Sequence, residues 1–461
     1  MSRTHEVRSP WSGDVVDAIE LASEDAVEQA LARAVGAHRD FDRRLPRHER
    51  ARILRAVSAR VRNDREARAA LIAREGGKPW RDALVEVDRA ASGLEFLAGE
   101  AERVAGVEVP MGASAATEGR LAMTTLEPVG VVLAVSAFNH PLNLIVHQLG
   151  AAVAAGCPAI VKPALETPLS AQWLVREFVA AGLPDDFATL VVCENDVAEG
   201  IVRDARVAYL SFIGSAAVGW RLRGIAAPGT RVGLEHGGAA PVVVDASADI
   251  EAATPWLLKG GYYHAGQVCV SVQRVLCHAS RADELAERLA RGAKALVVGD
   301  PLDPATDVGP LIRARDVERV ESWVDEARAR GAALACGGQR VATQGYAPTL
   351  LVDSPDDARV AREEIFGPVI ALRRVAELDE AVRLANDTRW AFQAAVLSRD
   401  LDRALWAARR LDASAVLVND HTAFRADWMP FGGRRESGLG LGGLSLGVHE
   451  LCAPKLLVLR A

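Results

Sequence analysis

Apolar residues recur every three to four positions over 24–38, 47–73 and 80–104, which predicts amphipathic helices for the first hundred residues. The period then changes. Residues 119–138, GRLAMTTLEPVGVVLAVSAF, begin in alternation and end in a nearly continuous apolar run. That pattern predicts a half-exposed strand followed by a strand of a parallel sheet covered on both faces. Strands and helices alternate from there: strand 129–137, helix 141–155, strand 158–162, helix 168–181, strand 188–192, a short helix at 196–203, strand 207–213, helix 215–226 and strand 230–235. A second set follows, with strand 241–245, helix 249–264, strand 272–278, helices 281–297 and 314–330, and short strands to about residue 418. Alternation with short loops predicts two doubly wound α/β domains. The tail 445–461 ends in an apolar strand with no obvious local partner, and such an edge invites pairing with another subunit.

The totals narrow the functional classes. At 461 residues the chain is too long for one ordinary core. Its 54 basic and 61 acidic side chains sum to −7, so no nucleic-acid footprint is present, and the arginines of 49–77 alternate with acids as on solvated helix faces. No secretory leader is read in MSRTHEVRSPWSGDVVD, and no run of 18 apolar residues predicts a membrane span. The six cysteines (157, 193, 269, 277, 336 and 452) form no CxxC and no Cys/His ligand set, so free thiols, a cytoplasmic location and no metal site are expected. GLGLGG (438–443) matches GxGxxG, but it follows the loop MPFGGRRES rather than a strand and is not read as a cofactor site.

One cysteine has an unusual setting: GQVCVSVQR (266–274) surrounds Cys269 with small and polar residues. A thiol that attacks an aldehyde needs donors for the resulting oxyanion, a nearby hydride acceptor, and a base to activate the water that hydrolyses a thioester. Candidates for each part exist. Asn139 in SAFNHPLN closes a buried strand and opens a helix. Glu235 ends a strand and is followed by Gly237 and Gly238. Gly214-Ser215 lies between a strand and a helix whose N-terminus suits a phosphate, and REEIFGPV (362–369) places a carboxylate and a ring before a Gly-Pro turn.

FNHP, VKPA, FIGSAAVG, LEHGG, GQVC, EEIFGP and PFGG, in that order, resemble the aldehyde dehydrogenase superfamily from about residue 10 to 459. The resemblance implies an α/β fold with a nucleotide-binding domain (1–107 and 126–235), a catalytic domain (236–425) and a small β arm for oligomerisation (108–125 and 445–461). It implies Cys269 as nucleophile, Asn139 and the Cys269 N–H as oxyanion donors, and Glu235 as the base for deacylation. NAD or NADP would be held by Lys162 at the adenosine ribose, Gly214 and Ser215 at the pyrophosphate, and Glu364 at the nicotinamide ribose. Phe366, Ser136 and Phe138 would shape the cofactor surface, and Gly237 would leave room for the nicotinamide. A homodimer or homotetramer acting on a small-molecule aldehyde is expected, with no nucleic-acid or membrane partner.

The departures from the pattern bear on the substrate. Leu165 stands where many NAD-preferring members carry glutamate, with Glu166 one residue later, which opens NADP use although no phosphate-binding arginine is evident. Ala239 and Ala240 replace a common polar residue that the chemistry does not require. His140 replaces a common Phe, and Arg425 precedes the PFGG turn, where it would either clamp an anion or form a surface pair with Asp427. Val268 stands where relatives that oxidise phosphonoaldehydes tend to have arginine, so that contact is either missing or supplied elsewhere, with Arg120 the candidate. The expected substrate is a small polar or anionic aldehyde, of phosphono, phospho or hydroxy type. Alternatives are a semialdehyde or a neutral aldehyde, then a CoA-acylating enzyme or a silent scaffold.

Overall fold

The computed structural model describes residues 3–460, so residues 1, 2 and 461, at the outer ends of the expected first domain and arm, lie outside it. The chain begins with an antiparallel hairpin, Arg3–Arg8 with Val15–Leu21, which the helical reading of this region lacked. Only Val7 and Ile19 of its residues are buried, so it carries too little apolar alternation to be recognised. Four helices follow: α1 (Glu24–Arg39), α2 (Arg47–Asn63), α3 (Arg65–Gly76) and α4 (Trp80–Arg103). The helix expected over 47–73 breaks at Asp64, where Asn63 and Asp64 compete with the helix for backbone hydrogen bonds.

Two sheets carry the rest of the fold. The first has six strands in the order Gly438–Leu439, Arg231–Glu235, Val207–Ile213, Val131–Val135, Ala159–Lys162 and Ala188–Leu190, parallel except for the 438–439 edge. Val132, Ala159 and Val161 enter one core, while Val131, Leu133, Val135 and Ile160 enter another on the opposite face. Burial on both faces explains why these strands read as unbroken apolar runs. From Val131–Val135 the chain moves outward through 159–162 and 188–190, then returns to 207–213 on the other side. This reversal opens a crevice at the carboxyl ends of the strands. The second sheet has seven strands, ordered Ala333–Cys336, Thr349–Val352, Val369–Val375, Arg274–His278, Pro241–Val244, Gln393–Leu397 and Ala415–Val418. Residues 236–240 lead from the first sheet into the second, and 419–437 lead back to the 438–439 edge of the first, so the crevice of the first faces the segments entering the second.

The C-terminal strand has a partner within the chain. Cys452–Arg460 pairs antiparallel with Arg120–Pro128, from Cys452 against Pro128 to Arg460 against Arg120. That partner lies some three hundred residues away in sequence, out of reach of local pattern. Glu108–Val109 completes this three-stranded sheet. The expected arm is shorter than its assigned 445–461: Leu444–Glu450 is a helix, and Leu444, Val448 and Leu451 sit in the first core.

Gly77, at the end of α3, adopts φ +69, and a Cβ there would come within 2.7 Å of Pro310 and 2.9 Å of Pro10. Left-handed backbone and crowding from two segments both act against a side chain. Gly77→Ala is therefore expected to destabilise the protein by about 1–3 kcal/mol, read as a lower thermal unfolding midpoint.

Candidate functional site

A cleft of about 710 Å³ lies between the two sheets. All the residues expected to form a site line it except Arg120: Cys269, Glu235, Asn139, Lys162, Gly214, Ser215, Gly237, Glu364, Phe366, Ser136, Phe138, His140, Val268 and Arg425. Arg120 is exposed on the arm and donates to the Ala116 carbonyl at 2.6 Å, so within this chain it supplies no substrate contact. Residues 438–443 do not line the cleft. Gly442 instead packs behind Glu235, where a Cβ would overlap the carboxylate.

The thiol end is arranged by backbone. His264, Ala265 and Gly266 all have positive φ (48°, 54° and 70°), turning the chain sharply before Cys269. The Asn139 side-chain amide donates to the Gln267 carbonyl at 2.8 Å, and an amide nitrogen carries a second N–H that remains for a ligand. Desolvation pushes the Cys269 thiol up to about 12, and the Glu364 and Glu235 carboxylates add to this while Arg425 opposes it. Desolvation also raises Glu235 to about 7, against the charge of Arg425, and Glu364 to about 7, against the hydrogen bond it accepts from the Gly238 N–H at 3.1 Å. One thiol and two proton-exchanging carboxyls therefore share a poorly hydrated pocket, in which the thiol stays protonated until a neighbouring base takes its proton.

The other arm of the cleft suits a dinucleotide. Gly214 and Ser215 precede the helix Ala216–Ile225, leaving its first N–H groups toward the cleft. Phe138 and Phe366 meet edge to face at 5.9 Å. Leu165 lines the cleft without a polar group. Glu166 is bound to Arg313 at 2.5 Å, a pairing across the two sheets' loops that the sequence did not reveal. Arginines therefore do stand at this end, Arg313 and Arg221 among them, each paired with a carboxylate.

The mouth near the thiol is partly apolar and partly cationic. Val268 packs with Val270 and Phe392 beside Tyr263, Ala423 and Phe431. His140, which burial holds neutral, lies 3.2 Å from the Tyr263 hydroxyl. Arg425 lies over the Phe431 ring with 3.6 Å to its centroid, and neither terminal nitrogen has a hydrogen-bond partner although both are buried. Its expected surface pair with Asp427 is not what forms: both side chains are buried and the nearest atoms are 4.0 Å apart. Asp427 is instead bound by Arg89 through two bonds of 2.7 and 3.0 Å, by His147 at 2.9 Å and by Asn143 at 3.2 Å. Burial opposes its ionisation, but the His147 and Arg89 contacts hold the carboxyl well below its usual range. Arg89 also lines the cleft and was not singled out from the sequence, because it is one of many arginines on the helices of that region. Among the described residues no cluster of three His, Cys, Asp or Glu side chains could hold a metal, and no helix is long and apolar enough to cross a membrane.

Comparison with known proteins agrees with this geometry. The model described as "Aldehyde dehydrogenase family" matches residues 1–457. The 3-sulfolactaldehyde dehydrogenase of Priestia aryabhattai is 36% identical over 456 residues, covering 99% of this chain and 94% of that protein. The structure of aldehyde dehydrogenase 21 from Physcomitrella patens, in complex with the reaction product succinate, superimposes with a TM-score of 0.96 at 33% identity, covering 99% of this chain and 95% of the other. Glyceraldehyde-3-phosphate dehydrogenase GapN from Methanocaldococcus jannaschii, complexed with NADP, gives 0.94 at 32% identity over 99% of both chains.

The seat of Glu235 is open to test. Gly442→Ala meets both the Glu235 carboxylate and, at 2.8 Å, the Phe431 carbonyl, so it should also lower the unfolding midpoint through a loss of about 1–3 kcal/mol. The carboxylate must turn away, and turnover that depends on it should fall by about tenfold or more.

Proposed function

The chain belongs to the aldehyde dehydrogenase family, and from that premise we propose that it oxidises a small anionic aldehyde to the carboxylic acid with NAD or NADP as acceptor. The observation that carries the substrate class is Arg425: a buried guanidinium facing the cleft with two unpartnered terminal nitrogens. A buried charge whose terminal nitrogens make no hydrogen bond is costly, and an anion lying against it replaces the lost hydration with charge-assisted bonds. Arg89, held by Asp427, adds a second cation to the same mouth where Val268 supplies none. The names of three relatives fit this reading, since their ligands carry sulfonate, carboxylate and phosphate groups.

In the proposed reaction the Cys269 sulfur bonds to the aldehyde carbon as its proton passes to the ionised Glu235 carboxylate, which releases it to solvent before the next step. The oxyanion lies against the second Asn139 N–H and the Cys269 N–H. A nicotinamide held by Lys162, Ser215 and Glu364 would supply the hydride acceptor, and Cys269 would then carry the thioester. Glu235 takes a proton from water, which attacks the thioester, releases the acid and restores the thiol. Lys162, Ser215 and Glu364 are the residues we assign to the cofactor. Leu165 supplies no carboxylate and Glu166 is neutralised by Arg313, a combination that suits either cofactor.

We further assign 1–107 with 126–235 to cofactor binding, 236–425 to catalysis, and the sheet of 108–125 with the C-terminal strand to assembly. Leu456, Leu457, Val458 and Leu459 are exposed in succession on that strand, which supports a homodimer or homotetramer built through it. The unpaired cysteines are in keeping with a cytoplasmic setting.

The test is reduced-nicotinamide formation with paired anionic and neutral aldehydes, for which Cys269→Ala should be inactive. Arg425→Ala should raise KM for anionic aldehydes by about tenfold or more, consistent with losing a charged contact of roughly 1.5–3 kcal/mol. An equal rise for neutral aldehydes would exclude the clamp. The base must be ionised to act, and Glu235 stands near 7, so hydrolysis-limited turnover should rise with pH through about 7. In Glu235→Gln that inflection should vanish, leaving a slower burst without steady turnover.

A further inference from the structure

One face of α4 reaches three separate parts of the site. Asp82, Glu86 and Arg89, spaced four and three residues apart, fall in line along the helix. Asp82 lies close to the backbone of His264, the first residue of the left-handed turn before Cys269. Arg89 binds Asp427 at the cleft mouth. Glu86, between them, is buried and accepts the backbone N–H groups of Leu142 at 2.9 Å and Asn143 at 3.1 Å through one carboxylate oxygen. Those two N–H groups open the helical stretch 143–155 that follows Asn139. The second Glu86 oxygen pairs with Lys78, and neither side chain is exposed.

Stability alone does not account for this pair. A fully buried ion pair is often no better than apolar residues of the same volume, because both charges lose their hydration. What the pair provides is a fixed acceptor at one backbone position. Asn139 is thereby gripped from two sides: its amide by the Gln267 carbonyl, and the chain just beyond it by Glu86. We propose that Glu86, held in place by Lys78, is a positioning residue that sets the Asn139 amide against the reacting carbonyl. This rests on the reading of Asn139 as the oxyanion donor. An oxyanion exists only once the sulfur has added, so misplacing its donor slows acylation and leaves binding of aldehyde and cofactor unchanged.

The experiment compares the rapid phase of reduced-nicotinamide formation in full-length variants. Lys78→Met/Glu86→Gln removes both charges but keeps an acceptor oxygen, and should acylate within about threefold of the parent. Lys78→Met/Glu86→Leu removes the acceptor, and should acylate about ten- to a hundredfold more slowly with KM and the NAD dissociation constant unchanged. Glu86→Asp keeps the charge pair but withdraws the acceptor by one methylene; it should also slow acylation, and it serves if the leucine variant does not fold. Equal losses in the glutamine and leucine variants, or parental rates in the leucine or aspartate variant, would overturn the proposal. Asn139→Ala, measured alongside, separates the two ideas. A parental rate there defeats the oxyanion reading itself. A slow Asn139→Ala beside fast leucine and aspartate variants defeats only the role of Glu86.

Discussion

The turn from His264 to Gly266 is the constraint on which the rest of the site depends. Three consecutive left-handed residues, two of them with side chains, cost roughly 1–3 kcal/mol each where the residue is not glycine. Contacts from several directions hold the conformation. Asp82 lies against the His264 backbone, and the Gln267 side chain donates to the His264 and Pro310 carbonyls while accepting the Ile312 N–H. The Gly367 carbonyl closes over Gly266 so tightly that no Cβ fits. Segments around residues 82, 139, 310 and 367 are thereby tied to one short loop, and Cys269 is presented from that knot rather than from a helix or strand.

The charges around the thiol follow from the same closure. Water is largely excluded, so Glu235, Glu364 and Cys269 all favour their protonated forms; Arg425 pulls Glu235 and Cys269 back toward the anion, and Arg319 does so for Glu364. Desolvation lowers Arg425 itself to about 10, yet it remains charged at neutral pH. The Asp427 network matters here. By binding Arg89 and His147 it leaves Arg425 without a strong partner, and so leaves a charge for a ligand to meet.

Much of this was legible in the sequence because the cleft is built from strand ends and the turns after them, where short motifs in fixed order carry the geometry. Asn139, Gly214, Glu235 and Cys269 each follow or precede a strand, and strands buried on both faces are easy to recognise. Other features depend on distant partners. Arg89 looks like any arginine of an amphipathic helix until Asp427 approaches it, whereas Arg120, named as a substitute for the anion contact that Val268 lacks, faces solvent on the arm. The C-terminal strand looked unpaired because its partner is remote in sequence, and the N-terminal hairpin was missed because almost none of it is buried. GLGLGG shows the converse: Gly442 lacks space behind Glu235, Gly438 lacks it against the Leu234 carbonyl, and Gly440 and Gly443 adopt positive φ, so the motif answers to local packing.

The two raised carboxyls beside Cys269 bear on how the product leaves. An aldehyde group is neutral and enters this pocket without an electrostatic penalty. Its oxidation creates a carboxylate at that same end, facing Glu235 and Glu364, where every further negative charge is poorly screened. The pocket that tolerates the substrate's reactive end thus repels the product's, whereas an anionic tail held as proposed by the guanidinium at the mouth would be attracted equally before and after reaction. Product release would then begin at the head, which is admitted neutral and leaves charged.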